Sequence, residues 1–257
     1  MPGRPPSSAP NPAGAHFLRD RALIGRLVRA SGAGQGRLVL DLGAGRGVLT
    51  AALSAAGARV IAVERDARLA ARLRRRFDGD PRVRVVEADL RRFPLPRREF
   101  LVVASPPFSL TTMLCRRLLG DPAVPLAGAE LILQWGAARW LAQPRPRDEQ
   151  TAWWAARYEL RLVQAIGSGS FVPPPAVGAA RLSVRPRPIA GSANGQRLLA
   201  AMLRAAYRRP GIRAEDMLRG RRRLLIRAAV DPATPAARLT AEQWHRLAVL
   251  LAGADDA

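Results

Sequence analysis

Apolar positions follow two different patterns along this 257-residue chain. Between Leu38 and Val184, short continuous apolar runs alternate with stretches in which apolar residues recur every three or four positions. The runs predict strands at Leu38–Leu42, Arg59–Val63, Val83–Val86, Leu101–Ala104 and Leu131–Gln134. The periodic stretches predict helices at Val48–Ala56, Ala67–Phe77 and Thr111–Leu119. An earlier helix carries Leu23, Leu27 and Val28 and ends near Gly32. Short apolar strands separated by amphipathic helices indicate an α/β fold with a parallel sheet covered on both faces. A later adjacent pair, Leu160–Ile166 and Ala179–Val184, reads as antiparallel strands added at the sheet edge. Beyond Arg185-Pro186-Arg187-Pro188 and Gly191–Gly195, which read as a linker, only helical periodicity remains. It covers Gln196–Arg208, a short piece after Pro210-Gly211, Arg221–Ala229 and Thr240–Ala252. The last helix opens on a capping box, Thr240-x-x-Gln243.

Composition refines this division. Residues 1–14 are rich in Pro, Gly, Ser and Ala and read as a tail; 15–188 form the α/β domain and 189–257 the small all-helical domain. No apolar run approaches the roughly 18 residues of a membrane span, and the start of the chain lacks an apolar leader core, so a cytoplasmic, membrane-free protein is expected. The single cysteine, Cys115, permits no internal disulfide and sits in an apolar-periodic segment as a packing residue. The 42 basic residues, all arginine, outnumber 20 acidic ones, for a net charge of +22. An imbalance that large is the electrostatic footprint of a polyanion-binding protein, nucleic acid ahead of membrane surface.

The candidate chemistry begins where the first parallel strand ends. Asp41-Leu42-Gly43-Ala44-Gly45-Arg46-Gly47 forms a glycine-dense turn from strand into helix, a layout that brings backbone N–H groups to a bound nucleoside. Val48 occupies the place of the third glycine in a dinucleotide fingerprint, which argues against NAD. Glu64 ends the next strand, where a carboxylate can accept both ribose hydroxyls of a nucleoside cofactor. Asp89, after the third strand, can accept from an adenine amino group. Ser105-Pro106-Pro107-Phe108 follows the fourth. Its serine hydroxyl and the Pro106 carbonyl are acceptors suited to the protons of an exocyclic base amine, and Phe108 offers a ring for an extruded base.

In this order and spacing, Asp41–Gly47, Glu64, Asp89 and Ser105–Phe108 resemble the class I S-adenosylmethionine methyltransferases that act on amino groups. More narrowly, the chain resembles the erythromycin-resistance (Erm) rRNA adenine-N6 methyltransferases and their KsgA-type relatives. His16-Phe17-Leu18 looks like their N-terminal Asn/His-Phe-Leu motif, and Phe171-x-Pro173-x-Pro175-x-Val177 resembles their late loop. The helical tail ending Leu239-Thr240-x-x-Gln243-Trp244-x-x-Leu247 is similar as well. The resemblance implies a Rossmann-like catalytic domain, S-adenosyl-L-methionine as cofactor, and 23S ribosomal RNA as partner, methylated once or twice on adenine N6 at the macrolide–lincosamide–streptogramin B site by a monomeric enzyme. It places His16 and Leu18 against the cofactor's methionine end, mainly through backbone, Gly43 and Gly45 along the cofactor, Glu64 on its ribose and Asp89 on its adenine. Ser105 and Pro106 would polarise the target amine, and Phe108 and Phe171 would sandwich the target base.

Ser105 departs from the family's usual Asn, and Ala15 stands where the family carries Gln. Two alternatives follow from the resemblance: a KsgA-type small-subunit rRNA dimethyltransferase, or an RNA-binding relative weakened in catalysis by Ser105. Neither His16 nor His245 falls beside the tetrapeptide in sequence, which suits a transfer that needs alignment more than a strong base. His245 reads as structural. Arg208, Arg209, Arg221, Arg222 and Arg223 are the candidate phosphate contacts of the helical domain; Arg74–Arg76 fit either a phosphate contact or a solvated helix face.

Overall fold

A computed structural model describes residues 16–187, 193–219 and 221–254, without side-chain detail for 193, 194 and 252–254. The expected tail at 1–14 lies outside the described residues, as does the 188–192 part of the expected linker.

The sheet has seven strands: β2 (Leu38–Leu42), β3 (Arg59–Glu64), β4 (Val83–Glu87), β5 (Phe100–Ala104), β6 (Leu126–Gln134), β7 (Tyr158–Ile166) and β9 (Ala179–Pro186). Their spatial order is β4-β3-β2-β5-β6-β9-β7. The first five are mutually parallel, and β9 runs antiparallel between β6 and β7. A separate two-stranded ribbon pairs β1 (Phe17–Leu18) with β8 (Phe171–Val172). The chain steps outward from β2 to β3 and β4, then returns to place β5 on the other side of β2. That reversal opens a crevice at the carboxyl ends of β2 and β5. The glycine turn leaves one of these strands and the Ser-Pro-Pro-Phe segment leaves the other, so topology alone brings the two motifs together.

Two-sided burial explains why the strands read as unbroken apolar runs. On one face Val39, Val60, Leu101 and Val103 pack with Leu23 and Leu27 of α1 (Arg21–Ser31) and with Leu49 and Leu53 of α2 (Val48–Ala55). On the other, Leu40, Leu42, Val102 and Ala104 pack with Leu114 and Leu118 of α4 (Thr111–Leu119). Alternate residues of one strand thus serve opposite layers. α3 (Ala67–Arg76) starts on Asp66, whose carboxylate accepts from the N–H groups of Arg68 and Leu69 at 2.9 Å each. The β6–β9 seam is held by a buried acid. Glu130, fully enclosed, bonds Arg181 Nε at 2.7 Å and the Ser183 hydroxyl at 3.0 Å, and also pairs with Arg185.

Helices α5 (Trp135–Leu141) and α6 (Glu149–Arg157) were not anticipated. α6 begins on a capping box, in which the Asp148 carboxylate accepts from the Thr151 N–H at 2.8 Å. The C-terminal helices are α7 (Ala193–Arg208), α8 (Ala214–Met217), α9 (Arg222–Arg227) and α10 (Ala241–Ala254). They close around Leu199, Leu203, Leu225 and Trp244, in one core with Ala152 and Ala156 of α6. The expected capping box of α10 forms: the Thr240 N–H donates to Gln243 Oε1 at 2.9 Å, and the Gln243 N–H to Thr240 Oγ1 at 3.2 Å. The linker reading is corrected at both ends. Arg185 and Pro186 are the last residues of β9, because Arg185 pairs with Glu130 inside the sheet, and Gly195 lies within α7.

Candidate active site

The turn after β2 is shaped by three left-handed glycines, Gly43, Gly45 and Gly47, with φ of 82°, 54° and 73°. Close approach enforces the same choice at two of them: a Cβ on Gly45 would lie 2.9 Å from the Phe17 ring and one on Gly47 2.5 Å from Leu73. At Gly43 a Cβ would meet Pro106 Cα at an ordinary 3.4 Å, which places the glycine loop beside the Ser105–Phe108 segment. Val63, near the end of β3, fixes the loop from below, its carbonyl accepting from the Gly43 and Ala44 N–H groups at 2.8 and 3.0 Å.

Glu64 is pinned in place. Its Oε2 accepts from the Gly45 N–H at 2.8 Å and its Oε1 from the Asp66 N–H at 2.9 Å. Each oxygen keeps lone-pair capacity toward the cavity. Asp89 accepts from the Arg91 N–H at 2.8 Å and pairs with the Arg91 guanidinium at 3.2 Å, contacts that hold its carboxyl below the usual range and keep it ionised. Asp41 is different. It is completely buried under the loop, Thr50 Oγ1 donates to its Oδ2 at 2.6 Å, and its Oδ1 has no partner among the described residues. Burial pushes its carboxyl up to about 7.

A cavity of about 520 Å³ opens above these groups. His16, Phe17, Gly43, Gly45, Glu64, Asp89, Ser105, Pro106 and Phe108 all line it, so the structure gathers most of the sequence-derived candidates at one place. Ser105 and Phe108 are half-buried and Pro106 is buried. Neither the Ser105 hydroxyl nor the Pro106 carbonyl is engaged by a hydrogen bond among the described residues. The His16 imidazole Nδ1 is 2.9 Å from the Pro173 carbonyl, and its ring faces that of Phe108 with centroids 6.1 Å apart.

Phe171 and Leu18 have their side chains outside the cavity. Phe171 is only 2% exposed and packs in the core with Ile166 and Ala179, because pairing of β8 with β1 turns its ring inward; as placed, it has no free face for a base. Leu18 sits opposite it in that ribbon, its side chain in the same core, and does not line the cavity. Phe17 takes that wall position instead. Its neighbours in the His16-Phe17-Leu18 motif were the only sequence signal for it. Arg208, Arg209, Arg221, Arg222 and Arg223 are exposed on the helical part, away from the cavity lining, and none forms an ion pair among the described residues.

The family model of the ribosomal RNA adenine dimethylases matches residues 10–252. The chain belongs to that family. Among relatives, the ribosomal RNA small subunit methyltransferase A of Gloeobacter violaceus is 33% identical over 254 residues, covering 94% of this chain and 93% of that protein. The mycinamicin-resistance protein MyrB of Micromonospora griseorubida is 34% identical over 254 residues, covering 91% and 76% respectively. Matches to the first curated relatives span 65% of their length. Among solved structures, the 23S rRNA methyltransferase ErmE is similar at TM-score 0.76 and 27% identity, over 90% of this chain and 98% of that one. The fold is thus the Rossmann-like methyltransferase fold expected from the sequence.

For a family member the donor set fits a nucleoside cofactor. The Glu64 carboxylate, pinned by the Gly45 N–H, and the ionised Asp89 both line the cavity as acceptors that hydroxyl and amino donors of a nucleoside could meet. Among the described residues no His, Cys, Asp and Glu group could hold a metal ion, and no helix is long and apolar enough to cross a membrane. Cys115, its thiol pushed up to about 12 by burial, and His245, kept low by burial while its Nδ1 lies 3.1 Å from the Ala156 carbonyl, belong to packing.

Proposed function

We propose that the protein transfers a methyl group from S-adenosylmethionine to N6 of an adenine in 23S rRNA, and that this modification confers resistance to macrolide, lincosamide and streptogramin B antibiotics. The observation that supports the reading is the single cavity lined together by Gly43, Gly45, Glu64 and Asp89 on one side and by Ser105, Pro106 and Phe108 on the other.

When bound, S-adenosylmethionine supplies an electrophilic methyl carbon on its sulfonium. Glu64 accepts from the ribose hydroxyls, and Asp89 accepts from the cofactor's adenine amine. The Ser105 hydroxyl oxygen and the Pro106 carbonyl accept the two protons of the target N6 amine. Holding both protons turns the nitrogen lone pair out of conjugation with the ring and toward the methyl carbon. Phe108 stacks on the extruded base. No residue beside the amine is needed as a strong base; the surplus proton leaves to water after transfer.

Similarity to the 23S rRNA methyltransferase ErmE supports the large-subunit target, and similarity to the mycinamicin-resistance protein MyrB supports the resistance role. The nearly full-length match to the Gloeobacter violaceus small-subunit enzyme supports the second reading, a KsgA-type activity. Methyl transfer to separate 23S and 16S transcripts distinguishes the two. Label in 23S RNA alone is expected, and label in 16S RNA alone establishes the second reading.

A further inference from the structure

A second concavity, about 620 Å³, shares Phe17 as a lining residue with the cofactor cavity. Four arginines from three segments line it: Arg19 and Arg21, flanking the Asp20 cap of α1, Arg46 in the glycine loop and Arg76 ending α3. Among the described residues no carboxylate lines it, and none of the four forms an ion pair. Residues 1–15, which precede this region, contain no acidic side chain either. Two of the guanidinium groups are held in place. Arg46 stacks over the Phe17 ring at 4.7 Å, and Arg76 donates to the Arg46 carbonyl at 2.6 Å. Ile24 and Val48 contribute apolar wall between the charges.

Four cations around one groove, two of them held in place, repel one another, so the arrangement suits a polyanion laid along it. Arginine forks onto phosphate oxygens with two parallel bonds, and ordered guanidinium groups lose less entropy on binding. Because Phe17 is the shared wall, phosphates seated here belong to nucleotides close to the base in the cavity. We infer that this groove is the phosphate track of the RNA substrate beside the flipped nucleotide, so that the catalytic part of the chain, rather than the helical tail alone, holds the RNA backbone. The inference rests on the RNA-methyltransferase reading above.

The test compares the full chain with an Arg19→Gln/Arg21→Gln/Arg76→Gln variant. Binding to 23S and 16S rRNA transcripts is measured across about 50–200 mM salt, with S-adenosylmethionine affinity measured by calorimetry. The slope of log affinity against log salt should fall by about one per arginine removed. KM for RNA should rise about tenfold or more, with cofactor affinity within about twofold of wild type. An unchanged salt slope on whichever transcript the protein binds overturns the inference. If the triple variant loses cofactor binding, the exposed single variants Arg19→Gln and Arg21→Gln carry the test, each with an expected slope change of about one. Failure of the wild-type protein to methylate either transcript would instead defeat the proposed function, whatever the slopes.

Discussion

Gly45 donates its backbone N–H to Glu64 Oε2 at 2.8 Å, tying the glycine turn after β2 to the carboxylate that ends β3. With the Asp66 N–H on the other oxygen, the carboxylate is oriented before a ligand arrives. Hydrogen bonds to a charged acceptor contribute roughly 1.5–3 kcal/mol each. Glu64→Ala should therefore weaken S-adenosylmethionine binding by about 100-fold or more by calorimetry, and it should also lower the melting temperature, because the Gly45 and Asp66 N–H groups lose their acceptor. Unchanged affinity would remove Glu64 from the cofactor site.

Phe108 and Phe171 were paired by sequence and are separated by structure. Phe108→Ala should lower kcat/KM for RNA by about tenfold or more, leaving cofactor affinity and melting temperature near wild type. Phe171→Ala should act through the fold instead, costing about 3–5 kcal/mol as a buried ring is deleted. Denaturant unfolding of both variants separates the two roles; equal destabilisation would make Phe108 a core residue as well.

The Ser105 hydroxyl and the Pro106 carbonyl share the task of accepting amine protons. Removing one of two acceptors should reduce methylation without abolishing it. Ser105→Ala is expected to lower kcat by about tenfold, equivalent to about 1.4 kcal/mol, with cofactor affinity unchanged. A kcat equal to wild type in single-turnover assays would show that Pro106 alone suffices.

Asp41 makes stability depend on pH. Its folded-state carboxyl titrates near 7, against an ordinary value of 3.8, chiefly through burial. The folded chain therefore binds this proton more tightly than the unfolded one. The resulting stabilisation is complete below about pH 4 and is lost as pH rises through 7; at 1.36 kcal/mol per pH unit the full loss is roughly 4 kcal/mol. Asp41→Asn cannot ionise, so its stability should gain on wild type between pH 4 and 7 and hold a constant difference above. Parallel melting curves for the two proteins over that range would refute this assignment.

Where the physics is local, the sequence was readable. Leu38–Leu42 and Thr111–Leu119 have the expected bounds because strand runs and helical periodicity report burial directly. The cavity was readable through residues at strand ends, since topology places all such ends on one rim. What escaped depends on distant partners. Glu130 is a buried acid whose arginines lie about 50 residues later, and α6 is buried through Ala152 and Ala156, small residues whose partners come from the C-terminal helices. Phe171 failed for the same reason: a motif gives residue type and order, whereas the side chain's direction was set by pairing with Leu18, far earlier in the chain.

The central claim is that Ser105 and Pro106 present an adenine amine to the methyl donor. The most direct measurement is nucleoside mass spectrometry of 23S rRNA after incubation with the protein and S-adenosylmethionine. The expected product is N6-methyladenosine or its dimethyl form at one site, sharply reduced by Phe108→Ala. A methyl group on cytosine N4, or no methylated nucleoside from a protein that binds both cofactor and RNA, would contradict the account.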